Sequence, residues 1–200
     1  MITAAVFGAA FAVPYRGNPI GQSGPGFVLE AMALSGRREL RTYFAAMDTV
    51  FAVIAIPLIT GLSFGLAALV KAPAEGTAAA AVGLAGLGAA LAIGNIFSVV
   101  LAYPMQKRVG NPLPQQAQGY GGQAVGAVFG TLATVAVAAI PVIVLGNLTS
   151  HVTAGVRLPV LLGCAAAYGF ALAWLGVRAA AILAAGKLPE LCQIAMRTTL

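Results

Sequence analysis

Charge is the scarcest commodity in this chain. Five Asp and Glu and 11 Lys and Arg are spread over 200 residues, 8% of the total. A water-soluble domain carries charge at about a quarter of its positions to cover its surface. With 60% of residues apolar and a mean hydropathy of +0.94, an exterior clothed against water is excluded, and the outer surface is expected to meet lipid. The net charge of +6 does not point to nucleic acid. That function gathers Lys and Arg on one soluble face beside base-reading side chains, whereas here the basic residues sit in small groups between apolar runs. Cysteine and histidine are almost absent. Cys164 lies inside an apolar run and Cys192 near the C-terminus, which makes neither a disulfide framework nor a zinc set. The single His151 has no Cys or carboxylate at ligand spacing and reads as a polar loop residue. There is no GxxxxGK[ST] phosphate loop and no nucleophile–base–orienter set. No catalytic residue, metal or cofactor is therefore assigned, and the chain is not read as an enzyme.

What the sequence has instead is long apolar runs. A helix needs about 20 apolar residues to cross the hydrocarbon core, and four stretches qualify, at about 49–70, 77–103, 124–146 and 158–185. Arg178 is the one charge inside them, close enough to the end of the fourth to snorkel to the headgroups. The expected fold is an all-α integral membrane protein with four full transmembrane helices, a partial N-terminal one and a cytoplasmic interfacial helix. Residues 1–13 are the partial one: apolar, too short to span, without the basic start of a signal peptide, and ending at Pro14-Tyr15-Arg16. They read as the last half of a transmembrane helix, so the chain is expected to be part of a longer protein.

Arg16, Arg37, Arg38, Arg41, Lys107, Arg108, Arg178, Lys187 and Arg197 fall on one side of these spans, leaving only Lys71 and Arg157 of the 11 basic residues on the other. Positive charge stays in the cytoplasm. The segment before the first span, the middle loop and the tail at 186–200 are thus expected inside a cell membrane crossed several times. Lipid gives helices no hydrophobic reason to associate, so small residues matter for close approach. Gly61 and Gly65, the ladder Gly122, Gly126 and Gly130, and the glycines of the second span allow it, either as general tight packing or as a specific dimer seam. Pro57 and Pro141 each remove a backbone donor within a span, and the carbonyls so released need partners from neighbouring helices or water. Polar groups inside the spans are few: Thr60, Ser63, Asn95, Ser98, Thr131, Thr134 and Tyr168. No carboxylate is among them, which argues against proton-coupled transport by this chain alone. Asn95 and Ser98, three apart, share a helix face, as an interhelical hydrogen bond or as solute contacts.

Residues 26–48 differ from the rest. Phe27, Val28, Leu29 and Met32 give an apolar turn, Ser35-Gly36 interrupts it, and Arg37-Arg38-Glu39-Leu40-Arg41-Thr42-Tyr43-Phe44 follows. On a helix Leu40, Tyr43 and Phe44 form one stripe and the three arginines another face, the pattern of a helix lying along a membrane surface. Two roles stay open for Arg37, Arg38, Glu39 and Arg41: an anchor on anionic lipid, or a dock for a cytoplasmic partner. The middle loop, rich in Gly, Pro and Gln, is expected to be irregular.

The order Gly21-Gln22-Ser23-Gly24-Pro25-Gly26-Phe27, Arg37-Arg38-Glu39-Leu40-Arg41, a span, Gly94-Asn95-Ile96-Phe97-Ser98 and Tyr103-Pro104 resembles the C-terminal part of actinobacterial ABC-type export permeases. The resemblance runs from about residue 17 to the tail and rests on short motifs and hydropathy order. It implies a permease that pairs with another half or copy of itself and is driven by a separate cytoplasmic ATPase, touched through residues 37–44. Full permeases have more spans, in keeping with the half-helix at 1–13. A non-transport helical subunit that anchors or stabilises a complex is the alternative.

Overall fold

The computed structural model describes Ile20 and residues 25–33, 36–102, 105–106, 115–116, 121–148 and 153–196. The half-span read at 1–13, the Lys107-Arg108 pair and His151 lie outside these residues. Five helices carry the fold: α1 (Pro25–Ala33), α2 (Arg37–Leu69), α3 (Pro73–Val100), α4 (Gly121–Leu148) and α5 (Ala154–Met196). Between α3 and α4 a two-residue antiparallel ladder, β1 (Met105–Gln106) with β2 (Gln115–Gln116), pairs Met105 with Gln116 and Gln106 with Gln115. Part of the loop expected to be irregular is thus a paired ribbon.

Among the described residues three helices are long and apolar enough to cross a membrane: Arg37–Leu69, Pro73–Val100 and Gly155–Met196. The third predicted span falls on α4, of 28 residues, of which Leu132–Asn147 stands out as an apolar stretch among the described residues. Local chemistry sets several boundaries. Helix α2 starts after Gly36, which is extended (φ −152°, ψ 173°). It ends in a left-handed cap: Lys71 has φ 54°, the Ala72 N–H donates to the Ala67 carbonyl at 2.9 Å, and the Lys71 N–H donates to that of Ala68 at 3.2 Å. These are the two bonds that close a Schellman turn. Pro73 then opens α3 at a position where a missing N–H costs nothing, so α2 and α3 form a tight hairpin.

α2, α3 and α4 alternate in direction, as paired contacts show. Asp48 meets Asn95 while Ser63 and Ala67 meet Gly76, and Phe97 meets Gly130 while Ala81 and Val82 cluster with Val142. Helix α5 runs parallel to α3, because Gly169 lies on Leu84 and Gly88 and Gly176 on Ala92. Helix α3 is the hub. In its most apolar window 78% of residues are buried, against 11% in α2 and 28% in α5. The α3–α5 seam is built from small residues: a Cβ placed on Gly88 would collide with the backbone of Gly169, and one on Gly176 with Ala92. Gly61 and Gly65, read as a packing pair, have no neighbour among the described residues within 4 Å of such a Cβ. Their four-residue spacing makes a smooth face on α2 that no described helix covers.

Residues 37–48 are not a separate element. They are the first three turns of α2 and run into the first predicted span without a break, since backbone hydrogen bonding does not respond to the change from charged to apolar composition. The stripe read as membrane-facing is turned to protein. Leu40 and Phe44 are buried in one core with Phe27 and Ala31 of α1, Val99 of α3, and Val177, Leu191 and Ala195 of α5. Tyr43, half-buried, packs edge-on against Phe27 and Phe44 at centroid distances of 5.9 and 5.4 Å.

The carbonyl that Pro141 releases has found a partner. Proline lacks the N–H that would bond Val137, four residues back, and the Tyr168 hydroxyl of α5 donates to that carbonyl at 3.0 Å. At the end of α4 the Arg157 guanidinium donates to the Gly146 carbonyl at 3.0 Å, a cation where the helix dipole favours one.

Candidate functional site

Leu40, Phe44 and Asp48 follow one another at four-residue intervals and are all buried, the first two among apolar side chains. The third continues the stripe as a carboxylate, only 7% exposed. By helix rise it lies about 16 Å beyond the start of α2, at the edge of the apolar run. Across the interface the Asn95 amide, 1% exposed, donates to Asp48 Oδ2 at 2.8 Å. Asn95 thus makes the interhelical bond. Ser98, fully buried, donates instead to the Asn95 backbone carbonyl at 2.7 Å and stays within its own helix. The face shared by Asn95 and Ser98 was legible from their spacing. Asp48 was missed as a site residue because the first span was begun one residue after it. The available signal was its place at i+4 from Phe44 and i+8 from Leu40, an acid continuing an apolar stripe in a chain with five acids.

Asp48 lines a cavity of about 360 Å³, within the range that holds small-molecule ligands. The cavity is a groove between α2 and α5, floored by α3. The core around Phe44 and Val177 closes one end, and Asp48 sits at that end. Thr49 also lines it, and its hydroxyl donates to its own helix at the Ala45 carbonyl, 2.8 Å away. Small residues open the groove: Ala52 on one wall, Gly88 on the floor, Ala173 on the other wall. Phe170 and Trp174 of α5 line it and remain 76% and 46% exposed. Arg178, one turn on, lies over the Trp174 ring at 3.7 Å, a cation–π contact at the same end of the groove as Asp48. A second apolar cavity of about 330 Å³ lies between α4 and α5, lined by Pro141, Cys164 and Tyr168 among others.

Arg37, Arg38, Glu39 and Arg41 are exposed on the first turns of α2. Because α2 and α3 are antiparallel, this cluster and the Asp48–Asn95 pair occupy the same end of the bundle, the arginines outermost. Glu39 reaches back over Gly36, an acid near the positive pole of the helix dipole, where it is favoured. Three arginines at that pole are not. Those in the first turn, Arg37 and Arg38, oppose the dipole there. Among the described residues no group of three or more His, Cys, Asp or Glu could hold a metal ion.

The chain matches no protein-family model, no curated protein and no solved structure.

Proposed function

We propose that this chain is a multi-pass membrane protein with four spanning helices, α2 to α5, and that it forms part of the permease of an ATP-driven exporter. The observation that carries the reading is the groove between α2 and α5: a cavity for a solute, on a bundle whose outer face is apolar, with a buried carboxylate at one end. The outward side chains of α2 include Val50, Val53, Ile54, Leu58 and Leu62, each more than half exposed. Water would not tolerate that surface and lipid would. The excess of basic residues puts the arginine end and the C-terminus in the cytoplasm. Helix rearrangement, driven by an ATPase that this chain does not contain, would open the groove alternately. The ATPase and a second permease half or copy are what the family resemblance adds.

Arg37, Arg38 and Arg41 are the contacts proposed for the ATPase, since Leu40 and Phe44 are held in the core and the guanidinium groups face out. The triple reversal Arg37→Glu, Arg38→Glu, Arg41→Glu is expected to abolish co-purification with a neighbouring-gene ATPase and to remove its stimulation in vesicles. Retained complex and retained stimulation would make these arginines lipid anchors. The small-residue seam of α3 with α5 favours a second reading, a static subunit that stabilises a complex, because interlocked backbones resist sliding. Failure of any solute flux from proteoliposomes holding chain, partner half and ATPase would select that reading.

A further inference from the structure

The groove between α2 and α5 ends beside an exposed cation. We propose that it holds one acyl chain of an anionic phospholipid of the inner leaflet, with the lipid phosphate on the guanidinium of Arg178. The inference rests on the permease reading in treating the groove as the solute's path, and it names the class of molecule that lies there.

Three observations carry it. The first is length. The lining runs from Ala45 to Ile56 on α2 and from Ala166 to Val177 on α5, about 16 Å along either helix by its rise. That is half of the roughly 30 Å hydrocarbon core, the depth of one leaflet, measured from the end where the apolar run of α2 begins. A lipid chain hanging from the interface has this reach and this direction. The second is the lining itself. Ile56, Leu84, Leu87 and Leu91 offer hydrocarbon contact, and the Thr49 hydroxyl is turned to its own helix. Phe170 and Trp174 line the groove and are also exposed on the outer face of α5, so a chain enters sideways from the bilayer without meeting water. The third is charge. Arg178 is exposed, and its guanidinium lies 3.7 Å from the centre of the Trp174 ring, which sets the cation at the rim of the groove. Contact with a ring leaves the five N–H donors of a guanidinium for oxygen acceptors, and a phosphate takes two of them side by side. A zwitterionic headgroup carries a cation of its own that competes for its phosphate, and an anionic one does not. Asp48 is at the same end but buried and turned to Asn95, whereas the phosphate stays at the exposed rim, where water and ions screen the two from each other. The exposed arginines at the start of α2, farther out on the same side, attract the same sign of charge.

Trp174 is the only tryptophan in the chain and it lines the groove, so intrinsic fluorescence reports on this site. The purified chain is placed in nanodiscs of phosphatidylcholine containing increasing fractions of a phospholipid brominated at mid-chain, either phosphatidylglycerol or phosphatidylcholine with the same chains. A single-span peptide with one tryptophan, in identical discs, supplies the quenching by random contact. Brominated phosphatidylglycerol is expected to reach half-quenching at a fraction about fivefold below that needed for brominated phosphatidylcholine, the scale of one basic side chain at an anionic headgroup. Arg178→Lys should keep the preference, and Arg178→Gln should bring the two curves together. Ala52→Phe, which fills the groove from the opposite wall and leaves Arg178 in place, should remove the preference as well. Coincident or reversed curves in the unsubstituted chain overturn the proposal whatever the variants do. So does a preference that survives Arg178→Gln with unchanged helix content, which would report general attraction to a basic surface. One that survives Ala52→Phe with unchanged helix content would put the lipid outside the groove and overturns it too. The readout is binding, so these outcomes are separable from the flux assay. A chain that prefers the anionic lipid but supports no transport sinks the permease reading and leaves the site standing. A chain that transports without the preference does the reverse.

Discussion

Two side chains show how polar groups are settled inside this bundle. Tyr168 gives its hydroxyl hydrogen to the carbonyl that Pro141 leaves without an in-helix donor. Tyr168→Phe should therefore cost about 1 kcal/mol, measured by unfolding in mixed detergent–dodecyl sulfate micelles. Thr134→Val, which deletes a hydroxyl bonded at 2.8 Å to its own helix at Gly130, should cost clearly less. The Asp48–Asn95 pair is the sharper case. Asn95→Leu removes a donor from a buried carboxylate and should cost about 2 kcal/mol in the same assay. Adding Asp48→Leu to it should cost less than the two single losses summed, because the two side chains share a hydrogen bond. Strictly additive losses would mean that the pair is not coupled. The proline's need for a partner follows from its missing N–H and could be read from sequence, but the identity of the partner could not. Residues 137 and 168 are brought together by the return of α5, which no local pattern encodes.

At the scale of helices, the apolar runs behind α2, α3 and α5 were plain in the sequence, since length and hydropathy alone define a helix able to cross a membrane. The start of α2 at Arg37 was not, because composition changes near residue 48 while the helix does not. Glycine spacing was the less reliable guide to contact. Gly61 and Gly65 fit the usual four-residue pattern and meet no described residue, while Gly88, Gly169 and Gly176 lie against the backbone of a neighbouring helix. They do so because the alanine-rich surroundings of α3 allow a whole helix to settle against α5. Substitution should separate the two sets. Gly88→Val forces apart two backbones and is expected to destabilise by about 3 kcal/mol or to prevent folding. Gly61→Ala, with open space around it, should leave stability unchanged or raise it by up to about 1 kcal/mol through helix propensity. Unfolding midpoints of the two variants, referred to the unsubstituted chain, decide the matter.

For the molecule as a whole, antiparallel order and charge asymmetry make a joint prediction about sidedness. The turn at Lys71 and the start of α2 at Arg37 are at opposite ends of one helix of 33 residues, about 50 Å long by its rise. With Cys164 and Cys192 replaced by serine, Lys71→Cys should react with a membrane-impermeant maleimide on intact cells, and Arg37→Cys only after the membrane is opened. Equal reactivity of both in intact cells would refute a spanning α2. The groove, by contrast, was not legible in the sequence. It arises where α2 and α5, far apart in the chain, lie side by side on α3, and its volume comes from Ala52, Gly88 and Ala173, residues that look unremarkable within their own runs.

The hub position of α3 also bears on how the chain enters a bilayer. Ala and Gly dominate this helix, and its most apolar window has a mean hydropathy of 1.8, against 2.2 for α2. Membrane insertion is driven chiefly by Leu, Ile, Phe and Val, which α2 has in plenty. Of the three long apolar helices, α3 thus has the least drive to partition for itself and is the one most enclosed by its neighbours. The short turn at Lys71-Ala72-Pro73 ties it to the strongest. Biogenesis should consequently deliver α2 and α3 as one unit, with α3 held in the translocation machinery until α5, made later, supplies its other wall.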